Sequence, residues 1–280
     1  ALWGRIVEII HTNYDKFDGF VILHGTDTMA FTASALSFML EGLMKPVILT
    51  GSQLPIGVLR TDGKENLLTA IEIAAAKNAD GSPVVPEVCI YFHQKLMRGN
   101  RCTKTSADSF DAFNSPNCTY LATAGMEILY NRHIIRPYDA SAQLRPNYKM
   151  SSDIIIFSLF PGIKQSVVEK ILSGKELKGV IFRTFGAGNA PQAQWLVDAL
   201  ERATAENKVI VNVTQCSTGS VKMRLYETGL QLLEAGIISG RDMTVEAALT
   251  KMMFLLGQSL PVDEVRRLMK KNLAGEITCG

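Results

Sequence analysis

Short apolar runs alternate with longer amphipathic stretches along most of this chain. Phe20 to Leu23 is continuously apolar and rich in branched side chains, which suits a strand buried on both faces of a parallel sheet. It stops at His24-Gly25-Thr26-Asp27-Thr28, and a helical pattern follows from about Met29 to Leu43. The strand Pro46 to Thr50 comes next and completes a βαβ unit. Its own turn, Thr50-Gly51-Ser52-Gln53, again puts small polar residues at a carboxyl end. Thr61-Asp62-Gly63-Lys64-Glu65 opens a further helix, with Asp62 placed to cap it and Glu65 to close a capping box. Glu87 to Phe92 reads as a third strand. Ahead of all this, Leu2, Trp3, Ile6, Val7, Ile9 and Ile10 already form a helical apolar face, so the chain opens inside an element.

The stretch from Arg136 to Ser152 is mostly polar with two prolines and marks a boundary. A new series then begins: strand Ile154 to Phe157, helix Gln165 to Leu172, strand Val180 to Phe182, helix Gln192 to Glu206 and strand Val209 to Val213. Helical patterns at Val245 to Leu256 and Val262 to Leu273 complete it. The pattern predicts an α/β protein of two doubly wound parallel-sheet domains. The larger covers 1–138 and carries the site, 139–152 is a linker, and the smaller covers 153–280.

Composition narrows the function classes. Of 280 residues, 29 are Lys or Arg and 27 Asp or Glu, so a net charge of +2 gives no electrostatic case for nucleic acid or an anionic membrane. Small molecules are the expected partners. The 5 cysteines, Cys89, Cys102, Cys118, Cys216 and Cys279, are scattered without a C-x-x-C pair, which argues against a disulfide framework or zinc and for a reducing, cytoplasmic setting. No apolar run approaches bilayer length, and no secretory signal opens the chain.

Candidate chemistry gathers at strand ends. Ligands in open parallel sheets bind outside the carboxyl ends of the strands, where Thr26, Asp27 and Thr28 lie. The competing reading is that Asp27 or Thr28 merely caps the next helix. The segment from Met97 to Asp108 has neither periodicity and crowds bases with hydroxyls. It is either a solvated loop or a site in which Lys104 is desolvated near hydroxyls and serves as a base. Together Thr26, Asp27 and Lys104 offer a hydroxyl, a carboxylate and an amine: the amine can take a proton from the hydroxyl while the carboxylate holds the lysine or a substrate ammonium. The four histidines lack ligand-like spacing, so no metal is expected. No G-x-S-x-G elbow is present. Gly186-Ala187-Gly188-Asn189-Ala190-Pro191 lacks the third glycine of a dinucleotide fingerprint and reads as a tight turn lending amides or Asn189 to a site or interface. Cys216, in Gln215-Cys216-Ser217-Thr218-Gly219, reads as a buried structural cysteine.

His-Gly-Thr-Asp-Thr at 24–28 resembles a signature of the bacterial-type L-asparaginases. Lys45 to Gln53, Arg60-Thr61-Asp62-Gly63, Arg98 to Lys104, Phe110 to Asn117, Thr184 to Asn189 and Gly240 to Thr244 resemble further family motifs, in order and over essentially the whole chain. The likeness is to the cytosolic type I enzymes, particularly the animal form whose asparaginase domain can precede ankyrin repeats. It implies hydrolysis of L-asparagine to L-aspartate and ammonia through an acyl-enzyme, without metal or organic cofactor. By resemblance Thr26 and Lys104 form a proton relay, Asp27 also binds the substrate's α-amino group, and Ser52 lies where the family's backbone meets the side-chain amide. The resemblance further implies a homodimer or homotetramer, with small-domain contributions at Asn189 and Asp242. The family's T-G-G-T strand, whose threonine is the primary nucleophile, and its D-S-S turn are not found; the one Ser-Ser-Asp is Ser151 to Asp153, in the linker. That threonine is therefore expected upstream of residue 1, in a longer chain or a separate amino-terminal fragment. Two other readings stay open: a non-catalytic protein that keeps the fold and binds aspartate-like ligands, and a nucleotide-dependent transferase using Arg98, Arg101 and Lys104 on phosphates.

Overall fold

In the computed structural model, residues Leu2 to Thr278 are described. They form two compact units that meet in sequence between Tyr148 and Lys149.

The first unit runs α1 (Leu2–Thr12), β1 (Phe20–Leu23), α2 (Met29–Met39), β2 (Leu40–Glu41), β3 (Val47–Thr50), α3 (Gly63–Ala75), β4 (Val88–Phe92), β5 (Lys95–Arg98), β6 (Thr103–Lys104), β7 (Phe113–Asn114), β8 (Ala122–Ala124), β9 (Ile128–Tyr130) and β10 (Arg145–Pro146). Its main sheet has the order β1-β3-β4-β5-β8-β9. The first three strands are parallel, with Leu23 opposite Thr50 and Val47 opposite Val88. The remaining strands extend the sheet antiparallel. The reversal after β4 is a tight hairpin at His93 and Gln94, both in the left-handed region at φ 46° and 64°. β3 and β4 are buried along their whole length, as the continuously apolar runs require, whereas β1 at the sheet edge is half-buried. α2 ends sooner than its apolar pattern suggests. Leu40 and Glu41 leave the helix to pair with Arg145 and Pro146, and Gly42 turns the chain at φ 74°.

The second unit runs β11 (Ile154–Ser158), α4 (Gln165–Leu172), β12 (Gly179–Thr184), α5 (Gln194–Ala205), β13 (Val209–Thr214), α6 (Glu227–Glu234), β14 (Ile238–Ser239), α7 (Val245–Gly257) and α8 (Val262–Met269). Its sheet, β11-β12-β13-β14, is parallel throughout. Successive strand residues face opposite cores: Val180, Phe182 and Ile210 pack with Leu172, Leu196 and Leu200, while Ile181, Val209 and Val211 pack with Met252, Leu255 and Val265. That two-sided burial is why β12 and β13 read as unbroken apolar runs.

Candidate active site

The chain leaves β1 through His24 and Gly25 into one 3-10 turn, Thr26–Thr28, and continues as α2. Thr28 occupies the cap position but its side chain makes no capping bond. What fixes this turn is His24. Its Nδ1 lies 2.7 Å from the carbonyl oxygen of Gly25 and its Nε2 lies 2.9 Å from the Thr32 hydroxyl. A carbonyl only accepts, so Nδ1 carries the proton, and the Thr32 hydroxyl that meets Nε2 in turn accepts the Trp3 indole N–H at 3.0 Å. The turn after β3 lies directly alongside. The His24 amide donates to the Thr50 carbonyl at 2.9 Å, and a Cβ at Gly51 would sit 2.2 Å from the His24 carbonyl oxygen, so only glycine fits there.

Lys104 arrives from the far side of the sequence on β6, which pairs with β7 so that Lys104 lies opposite Phe113. Phe113 is buried and packs on Phe92 with ring centroids 5.0 Å apart, which anchors the strand. From there the Lys104 Nζ donates to Thr26 Oγ1 at 2.8 Å and to Asp27 Oδ1 at 2.7 Å. The lysine side chain is 18% exposed and the Asp27 side chain 92% exposed, so the amine is largely covered while the carboxylate faces solvent. The hydrogen bond from Lys104, reinforced by its charge, holds the Asp27 carboxyl below its ordinary pKa.

Up to Lys104 the segment is not a solvated loop, whereas Thr105, Ala107, Asp108 and Ser109 beyond it are exposed. Arg101 is buried and its Nη2 donates to the Asn117 carbonyl at 2.7 Å. Arg98 grips Glu87 at 2.6 Å and the Ile134 carbonyl at 2.6 Å. Both arginines are committed within the fold, which removes them as phosphate ligands beside Lys104 and sets the transferase reading aside.

Ser52 is in the adjacent turn, where its Cβ lies 3.0 Å from the place a Cβ on Gly63 would take, and it makes no hydrogen bond to Thr26, Asp27 or Lys104. The capping box expected at α3 does not form. Asp62 itself is helical and makes no cap bond; its carboxylate accepts the Gln53 amide at 3.1 Å and the Leu54 amide at 3.2 Å, while Thr61 Oγ1 accepts the Gly63 amide at 3.1 Å. Glu65 instead accepts the Tyr91 hydroxyl at 2.8 Å. Buried Asn66 completes this scaffold, donating to the Gly51 carbonyl at 3.0 Å and accepting the His93 amide at 3.2 Å. The sequence marks Gln53 only as part of a polar turn and gives Asn66 no role; the one local signal is that Asn66 lies one helical turn beyond Asp62, on the same face.

The other candidates take structural positions within the second unit. Asn189 closes a tight turn with Phe185, their amides and carbonyls bonding reciprocally at 2.9 and 2.8 Å. Asp242 accepts the Thr278 amide at 3.0 Å and its hydroxyl. Cys216 is exposed rather than buried, in the turn beyond β13 where its amide donates to Thr214 Oγ1 at 3.0 Å. Cys279 lies outside the described residues. Among the described residues no three His, Cys, Asp or Glu side chains cluster as a metal site, and no helix is long and apolar enough to cross a membrane.

Residues 1–136 match the family described as Asparaginase, N-terminal, and residues 153–269 match the Glutaminase/Asparaginase C-terminal domain. This chain belongs to the asparaginase family. Over 276 residues it is 47% identical to L-asparaginase 1 of Escherichia coli K12, an alignment spanning 99% of the chain and 79% of that protein. It is also 47% identical to the human 60 kDa lysophospholipase, spanning 99% of the chain but 47% of that longer relative. Among solved asparaginase structures, L-asparaginase I from Vibrio cholerae superposes with a TM-score of 0.90 at 44% identity, covering 99% of this chain and 81% of the other. The thermostable L-asparaginase from Thermococcus kodakarensis follows at 0.89 and 35%, covering 99% and 81%.

Proposed function

We propose that this chain is an L-asparaginase that hydrolyses L-asparagine to L-aspartate and ammonia, with Thr26, Lys104 and Asp27 in its active site. The observation that carries the residue assignment is the Lys104 amine bonded at once to a hydroxyl and to an exposed carboxylate. The names of relatives sharing 47% identity over nearly the whole chain support the substrate.

Asp27 offers the substrate α-ammonium group a solvent-facing carboxylate held in its charged form. An arriving ammonium competes with Lys104 for that carboxylate, which releases the amine towards Thr26. Lys104 and Thr26 then relay a proton from the attacking oxygen nucleophile to the departing nitrogen, so that the C–N bond breaks to ammonia and water supplies the oxygen of the new carboxylate. Ser52, in the turn beside Thr26, lies where the backbone meets the substrate's side-chain amide. The active protein is a cytoplasmic homodimer or homotetramer, with 139–152 linking the two domains; the scattered free thiols of Cys89, Cys102, Cys118 and Cys216 fit a reducing compartment.

Ammonia release from L-asparagine by the full-length protein tests the reading. Thr26→Ala should lose about a hundred- to ten-thousandfold in kcat; near-normal turnover would sink the assignment.

A further inference from the structure

Lys104 sits on a two-residue strand, and the chain between β6 and β7 is closed mainly by its own turns: the Thr105 amide donates to the Ala112 carbonyl at 2.8 Å and the Ser109 amide to the Ser106 hydroxyl at 3.0 Å. Two side chains from other elements reach it. Lys95 holds Asp111 at 2.7 Å, near β7. Gln53 reaches the other part of the turn: its Nε2 donates to the Ala107 carbonyl at 3.1 Å and to the Ser109 carbonyl at 3.0 Å. One amide group thereby uses both of its N–H bonds on two carbonyls of the segment that follows Lys104.

The other end of this bridge is rigid. The Gln53 and Leu54 amides are fixed by the Asp62 carboxylate, and Asn66 binds both Asp62 and the Gly51 carbonyl from the first turn of α3. The same turn contains Ser52 and is packed against the His24 carbonyl at Gly51. Gln53 is thus the side chain that fastens the turn next to Thr26 to the hairpin that carries Lys104.

We infer that Gln53 is a positioning residue: it clasps the Lys104 hairpin to the Gly51–Leu54 turn and so sets the Lys104 amine against Thr26. The inference rests on the proposed roles of Lys104 and Thr26. It predicts a defect confined to the chemical step, because Gln53 touches neither the Lys104 amine nor Asp27. The bridge also lies beside an apolar groove lined by Leu54, Val58, Leu59, Ala107 and Phe110, so a methionine at position 53 keeps apolar neighbours while losing both donors.

The test is steady-state ammonia release by the full-length protein carrying Gln53→Met, Gln53→Glu or Lys104→Ala, each assayed well below its melting temperature, with hydrogen exchange followed across 103–114. Both Gln53 variants should lose about ten- to a hundredfold in kcat, since small misplacements of reacting groups cost on that order. KM should stay within about twofold and exchange in the hairpin should rise, as expected when positioning of the transition state is lost rather than substrate binding. Wild-type constants, a rise in KM at unchanged kcat, or a loss that disappears on cooling would each overturn the clasp. Lys104→Ala separates the two layers of the argument. If it turns over normally, the active-site reading fails together with the clasp; if it is inactive while both Gln53 variants are normal, the clasp alone fails.

Discussion

Two lysine–carboxylate pairs of nearly equal length stand in opposite surroundings in this protein. Lys104 meets Asp27 at 2.7 Å and Lys251 meets Glu276 at 2.6 Å. The second pair has no exposure at either side chain. Lys251 also donates to the Met269 carbonyl at 3.1 Å and to the Lys271 carbonyl, which uses all three ammonium donors. Glu276 accepts the Leu273 amide at 3.0 Å and the Ala274 amide at 2.7 Å. Burial pushes the Lys251 pKa down although Glu276 opposes it. That pair is closed, and it fastens the chain after α8 beneath α7. Lys104 spends its bonds on the Thr26 hydroxyl and a carboxylate open to water, so an incoming ligand finds a group it can take over. Distance does not distinguish the pairs; the neighbours that use the remaining hydrogen-bonding capacity do.

Breaking the closed pair should give the largest effect on stability. Glu276→Ala leaves an ammonium buried without its counter-charge and should cost about 3–5 kcal/mol in denaturant melts. The double substitution Lys251→Met with Glu276→Leu removes both charges and should recover part of that loss, the remainder reflecting the Met269 and Lys271 carbonyls and the Leu273 and Ala274 amides that lose their partners. If the single variant melts like wild type, the two pairs are not different in kind.

Asp27→Asn sharpens the other side of the comparison. With the carboxylate exposed, the melting temperature should stay near wild type. KM for L-asparagine should rise about ten- to a hundredfold, the worth of a hydrogen bond to a charged group. An unchanged KM would remove Asp27 from substrate binding.

The smallest expected effect is one of pH. Because Lys104 lowers the Asp27 pKa, the carboxylate stays charged in the folded protein below the usual aspartate value of about 3.9. The Lys104–Asp27 attraction is fully present above the ordinary value and is lost only as pH falls through the lowered one. Binding of L-asparagine, followed by calorimetry, should therefore not weaken on Asp27's account until pH drops below the ordinary carboxylate range. Weakening that sets in above that range and is absent in Asp27→Asn would contradict the pairing.

The sequence carried the fold where periodicity was strong. β3, β12 and β13 read as buried strands because both of their faces are covered, and α4 and α5 as helices because one side is apolar. It hid the hairpin at His93 and Gln94, since neither residue is one that turn chemistry favours in the left-handed region, and with it the antiparallel half of the first sheet. Asp62 shows a second limit: a carboxylate before a helix accepts backbone amides either as a cap or as an anchor for a distant loop, and the local sequence is the same for both. The site itself was half readable. The side-chain chemistry of Thr26, Asp27 and Lys104 groups them at strand ends, but Lys104 is 78 positions away from Thr26, and spacing alone does not show that they meet. Lys251 shows no mark of burial at all; on an amphipathic helix a lysine reads as a solvent-facing residue.

The central claim, that the open pair does chemistry and the closed pair holds the fold, is tested most directly by Lys104→Ala. Ammonia release from L-asparagine and the melting temperature should be measured on the same full-length preparation. The expected result is a kcat lower by about a hundred- to ten-thousandfold with a melting temperature near wild type. Near-normal ammonia release from a folded Lys104→Ala protein would contradict it.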